Sequence, residues 1–143
     1  MQYDFRKVNL ILATESAQYV VTGYANNSNI DAEYKNDAYT VHVGAKGGDD
    51  VAYAVNNDRS GTIKFKLMDT SPSCAALMQI YRNRTNFSAS IVDGNDTTKS
   101  TVKSSNCVIE KPGTYSRGND VQGQEWTIGC PDLDIEYENE PVI

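Results

Sequence analysis

Apolar and polar residues alternate most regularly at Thr62-Ile63-Lys64-Phe65-Lys66-Leu67, which puts Ile63, Phe65 and Leu67 on one side of an extended chain. That period predicts an antiparallel strand with one buried face. Val8, Leu10 and Leu12 repeat it near the N-terminus, and the β-branched run Tyr19-Val20-Val21-Thr22 ends at Gly23, so these two segments are expected to pair as a hairpin. Further strands are expected over 30–34, 39–43, 51–55, 87–92, 97–103, 107–110, 125–129 and 133–137. One segment, 70–81, follows a helical period instead. Ser71 can accept a hydrogen bond as N-cap, Pro72 suits the first helical position, and Cys74, Leu77, Met78 and Tyr81 make one inward stripe. Asp93-Gly94-Asn95-Asp96 carries the residues of a turn between strands.

Lys46-Gly47-Gly48-Asp49-Asp50 separates two arms, Tyr39 to Val43 and Val51 to Val55, that alternate in the same way. A Gly-rich tip between such arms predicts a long hairpin projecting from the domain. Tyr39, Val41, Tyr53 and Val55 then need a surface to pack on, because a lone two-stranded ribbon is only marginally stable in water. A neighbouring subunit is the natural partner. The pattern as a whole is that of an all-β chain with one helix and a projecting hairpin.

Residues 1–143 fit the size of a single domain, and no repeat or linker divides them. Thirteen basic and 19 acidic residues leave a net charge of −6, spread along the chain, which disfavours nucleic-acid binding through a basic face. The opening MQYDFRK lacks the apolar run of a secretory signal, and no segment reaches the roughly 20 apolar residues of a membrane span. A soluble, unexported protein without a membrane anchor is expected. Cys74, Cys107 and Cys130 are odd in number and none is at CxxC spacing, which favours reduced thiols over a disulfide framework or a zinc site. The Asn-x-Ser/Thr patterns starting at Asn26, Asn83, Asn86 and Asn95 carry little weight without export.

Enzyme chemistry finds few footholds. His42 is the single histidine, in a strand-like arm with no nucleophile motif near it, so no catalytic residue is assigned. Asp49-Asp50 and the 93–96 turn lack the donor spacing of a calcium loop, and Ala45-Lys46-Gly47-Gly48 lacks that of a phosphate-binding loop; no metal or cofactor is called for. Trp126 and Tyr115 could line a sugar-binding face, which keeps a carbohydrate-binding sandwich as the alternative function. Asn57-Asp58-Arg59-Ser60-Gly61 has two readings. It is either a turn closed by Asp58 and Ser60 with freedom supplied by Gly61, or a display for Arg59 to bridge a carboxylate of an adjoining subunit.

The stretch HVGAKGGDDVAYAVNNDRSGTIKFKLMDTSPS, with the helix after it, and the stretch VIEKPGTYSRGNDVQGQEWTIGCPDLDI resemble the tail tube proteins of contractile-tailed phages. The likeness extends from Tyr3-Asp4-Phe5 to Ile135 and departs at Cys74, where a polar residue such as Asn would be expected. It implies an all-β fold with one flanking helix, an antiparallel β-sandwich or partly closed barrel with a long projecting hairpin. The protein it implies is a structural virion protein, not an enzyme, forming hexameric rings that stack into the inner tube through which DNA is ejected. A related tube component, a baseplate tube initiator or a secretion-system tube, would share the same features. The resemblance implies further copies of the chain, a tail sheath protein, and baseplate and tape-measure proteins as partners, with DNA only passing through. It also implies a location in the virion tail after assembly in the host cytoplasm. Inter-ring contact falls to Tyr39, His42, Val43, Gly44, Gly47, Gly48, Asp49, Asp50 and Arg59.

Overall fold

In the computed structural model, which describes residues 2–138 and 141, the alternation around Ile63 becomes the strand Gly61–Met68. Ile63, Phe65 and Leu67 are buried while Lys64 and Lys66 face out. In chain order the strands are β1 (Val8–Ala13), β2 (Gln18–Val20), β3 (Ile30–Tyr34), β4 (Tyr39–Val43), β5 (Val51–Val55), β6 (Gly61–Met68), β7 (Phe87–Asp93), β8 (Ser100–Lys111), β9 (Gly123–Cys130) and β10 (Asp134–Tyr137). Helix α1 (Ser73–Arg82) lies between β6 and β7. Eight strands make one antiparallel sheet in the order β2-β1-β7-β8-β9-β6-β3, with β10 also paired to β8; β4 and β5 pair only with each other. Of the expected 1–143 span, Met1 and residues 139, 140, 142 and 143 lie outside the described residues.

The sequence pattern suggested separate strands at 97–103 and 107–110, whereas the chain runs as one strand, β8, across both. Buried positions shift phase along it, from Ser104 to Cys107 and Ile109, because an extra residue is accommodated where Ala89 faces Ser104 but Phe87 faces Cys107. Asn106 takes up the irregularity at φ 55, a left-handed conformation that Asn tolerates better than most residues. A phase slip of this kind looks like a strand break in sequence. In the fold it is a corner: the first half of β8 pairs with β7 and β10, and the second half pairs with β9.

Both halves of the sheet turn their apolar faces to one core, with Leu10, Leu12, Ala89 and Ile91 from one half and Ile63, Phe65, Trp126 and Ile128 from the other. The expected β1–β2 hairpin is present, Leu12 opposite Tyr19. Leu77 of α1 enters the core, and Cys74, Met78 and Tyr81 pack against it as the helical stripe required. Pro72 takes the N-cap position expected of Ser71, one residue before α1 begins. Ser71 instead accepts from the Ser73 amide at 3.2 Å and donates to the Thr22 carbonyl at 2.6 Å, so one hydroxyl stitches the start of α1 to the chain leaving β2. Gly23, at φ 79, lies so close to Ser71 that a Cβ there would collide with it.

The sheet does not close into a barrel: β2 and β3 stand at its two ends. Partial closure comes from residues 23–25, which cross to β6 through a bridge between Tyr24 and Leu67 and the hydrogen bond from the Ala25 amide to the Lys66 carbonyl.

Candidate assembly surface

Strands β4 and β5 pair Tyr39 with Val55, Val41 with Tyr53 and Val43 with Val51. Directly opposed residues share a face, so six apolar side chains line one side of this ribbon, while Thr40, His42, Ala52 and Ala54 line the other. None of the six is covered: Tyr39 is 62% exposed, Val43 62% and Tyr53 66%. Scattered apolar residues on a surface are ordinary, but an unbroken apolar face on a ribbon without a sheet behind it marks an interaction surface.

The arm grows out of β3 and β6. Their pairing ends at Tyr34 opposite Gly61 and resumes at Tyr39 opposite Val55, leaving residues 35–38 to face the longer segment 56–60 across a waist. Backbone hydrogen bonds from Lys35 to Ser60 and from Asn56 to Ala38 hold that waist shut. Asp58 is its polar hub: its carboxylate accepts from the Ser60 amide and from the Asn36 side chain, each at 2.9 Å. Those bonds, the Ser60 amide foremost, hold the Asp58 carboxyl below its usual range. Gly61 was expected to supply backbone freedom, yet its conformation is ordinary. It is needed for space, since a Cβ would run into the Glu33 carbonyl and the Leu133 side chain.

At the tip, two successive turns are closed by hydrogen bonds from Gly47 to the Gly44 carbonyl at 2.9 Å and from Asp50 to the Gly47 carbonyl at 3.0 Å. Gly47 and Gly48 both sit in the left-handed region, φ 61 and 56, which explains their residue type. Gly44 has no room for a Cβ beneath the Asp50 carboxylate. Thus His42, Val43, Gly44, Gly47, Gly48, Asp49 and Asp50 gather at the outer half of the arm, with Tyr39 and Arg59 nearer its root. Arg59 is exposed, and its guanidinium has no ion-pair partner among the described residues.

Compared with known proteins, residues 1–137 match the family model described as bacteriophage PhiTE tail tube protein. The chain belongs to that tail tube family. No curated protein matches it. Among solved structures it is similar to a chain of the anti-feeding prophage baseplate at a TM-score of 0.60 and 10% identity, covering 98% of this chain and 99% of the other. A chain from the sheath/tube terminator of an extracellular contractile injection system, PVC, in its extended state gives 0.57 and 14% identity, covering 95% and 97%. At such identities these likenesses speak for the fold alone. Membership of the family makes the protein a structural component of a phage tail tube and not an enzyme.

His42 is exposed on the arm, and the described residues contain no cluster of His, Cys, Asp and Glu able to hold a metal ion. No helix among them is long and apolar enough to cross a membrane. Of the two aromatics behind the carbohydrate reading, Trp126 has its ring buried opposite Phe65 and cannot reach a sugar, whereas Tyr115 is exposed with Arg117 stacked on its ring. The 93–96 turn is structural: Asn95 is buried, with its Oδ1 accepting from the Asp4 amide and its Nδ2 donating to the Asp4 carbonyl and to Asp93. Beyond the residues given to inter-ring contact, the sequence pattern marked Val41, Tyr53 and Val55 as needing a surface to pack on and left out Val51. Their strict alternation was the available signal, and the register of β4 on β5 turns it into one face.

Proposed function

We propose that this chain is the main subunit of a tail's inner tube and assembles as hexameric rings of identical copies, stacked through the β4–β5 arm into a conduit for DNA ejection. The uncovered apolar face of that arm carries the reading. Burying a Val or Tyr side chain on a neighbour is worth on the order of 1.5–3 kcal/mol, so six together supply a strong contact even after the cost of ordering. Contact residues at the outer arm and root are Tyr39, His42, Val43, Gly44, Gly47, Gly48, Asp49, Asp50 and Arg59, with Arg59 reaching a carboxylate of the next subunit. The free edges of β2 and β3 support lateral pairing into a ring, since an exposed edge invites another strand. The tail sheath and the baseplate and tape-measure proteins are the partners outside and at the ends of the tube, assembled in the host cytoplasm. DNA passes without being held, because a subunit of charge −6 repels a polyanion.

Negative-stain electron microscopy of the purified protein at rising concentration tests this. Rings or tubes of constant diameter are expected from the natural chain, and dispersed single subunits with an unchanged thermal melt from the double variant Val41→Asp, Tyr53→Asp. Single particles from the natural chain at every concentration, or tubes from the variant, would overturn it.

A further inference from the structure

Cys107 and Cys130 take no part in the arm or in the free sheet edges. Cys107 follows Asn106 at the corner of β8, and Cys130 is the last residue of β9, immediately before Pro131. Val108 faces Gly129, so the next step of the same antiparallel register sets Cys107 across from Cys130. The two Sγ atoms lie 3.8 Å apart and both residues are buried. Opposed residues of an antiparallel pair hold their Cβ atoms about 4.5–5.5 Å apart, close to the roughly 3.5–4.5 Å of a disulfide, so a small approach suffices. The third thiol points elsewhere: Cys74 Sγ lies 3.6 Å from both the Met68 carbonyl and Gln124 Oε1.

We propose that Cys107 and Cys130 are a cross-strand disulfide site, closed by exchange with a low-molecular-weight disulfide and stapling β8 to β9 at the corner where the sheet changes direction. The proposal stands on the thiol geometry and is independent of the tube reading. The contact between the two sulfurs, with burial behind it, pushes the Cys130 thiol up and favours a thiolate on its partner, and Cys107 is taken as the attacking group. Its thiolate attacks one sulfur of oxidised glutathione, the glutathione S–S bond breaks, and one glutathione thiolate leaves. That thiolate takes the Cys130 proton, and the Cys130 sulfur then attacks the mixed disulfide at Cys107 and expels the second glutathione thiolate, which takes up the proton first lost from Cys107. Two protein thiols are oxidised and one glutathione disulfide is reduced to two thiols. Because both sulfurs are buried, exchange proceeds through opening of the corner, or before the corner closes during folding.

The test treats the full chain with excess oxidised glutathione, both folded and during refolding from denaturant, followed by intact mass, non-reducing peptide mapping and thermal melts. Expected are the loss of two hydrogens, a linked Cys107–Cys130 peptide, Cys74 still open to alkylation, and a rise in Tm on the order of 10 °C that a reducing agent reverses. Cys107→Ala and Cys130→Ala should each lose the link and the Tm rise. Should either variant fail to fold, the map of the natural chain decides alone. Absence of the linked peptide under both conditions, a link through Cys74, or a fall in Tm on oxidation would sink the proposal.

Discussion

Asn95 is a polar side chain almost wholly removed from solvent, and it stays there because Asp4 and Asp93 satisfy it from two directions. Partial burial works against the Asp93 carboxylate, but hydrogen bonds from the Asn95 amide, Thr98 and the Asn95 side chain outweigh it and hold the carboxyl below its ordinary value of 3.8. A depressed carboxyl stabilises the fold above its unfolded value, and this contribution is lost as pH falls through the folded value. Acid melts should therefore show stability falling below about pH 4, with the fall shallower in Asp93→Asn. Asn95→Ala should cost roughly 1–3 kcal/mol at neutral pH, read as a lower denaturant midpoint, because the partly buried Asp4 amide loses its acceptor and the Asp93 carboxylate loses a donor, while the Asp4 carbonyl keeps the Lys7 amide. The turn itself was legible in the Asp-Gly-Asn-Asp spelling. That Asn95 is buried and pinned to the N-terminal segment was not, because the pairing joins positions 91 residues apart.

At the scale of elements, short-range pattern carried far. The alternation of β6, the stripe of α1, and the Gly-rich tip between matched arms each appear where local periodicity placed them. Two things escaped it. The corner in β8 resembles a gap because buried positions change phase at Asn106, and only the facing strand β7 reveals that the chain continues. Gly61 answers to the Glu33 carbonyl and Leu133 packed against it, neighbours that sequence adjacency does not supply. The arm gives the sharpest prediction at this scale. Replacing Lys46 to Asp50 with a short turn should leave the thermal melt of the dispersed subunit within a few degrees of the natural chain and abolish long tubes. The tip is exposed and bonds mainly to itself, so the core does not depend on it. A variant that unfolds, or one that still polymerises normally, would remove the arm from assembly.

For the whole molecule, a net charge of −6 sets identical copies against one another, while the apolar face of the arm draws them together. Salt screens the first term and leaves the second largely intact, so light scattering should rise with ionic strength at fixed protein concentration. Dissolution of tubes by salt would instead assign the contact to charged groups such as Arg59. The sequence by itself determined the helix and every strand but the continuous β8, the projecting hairpin, the poverty of catalytic groups and the likeness to tail tube proteins, since these depend on residue type and on spacings of a few positions. Tertiary structure alone decided that Trp126 is core and not a ligand platform, that six arm residues make one uncovered face, and that Cys107 meets Cys130. Each of these follows from strand register, and register is settled by partners distant in the chain, as each strand minimises the apolar surface it leaves in water.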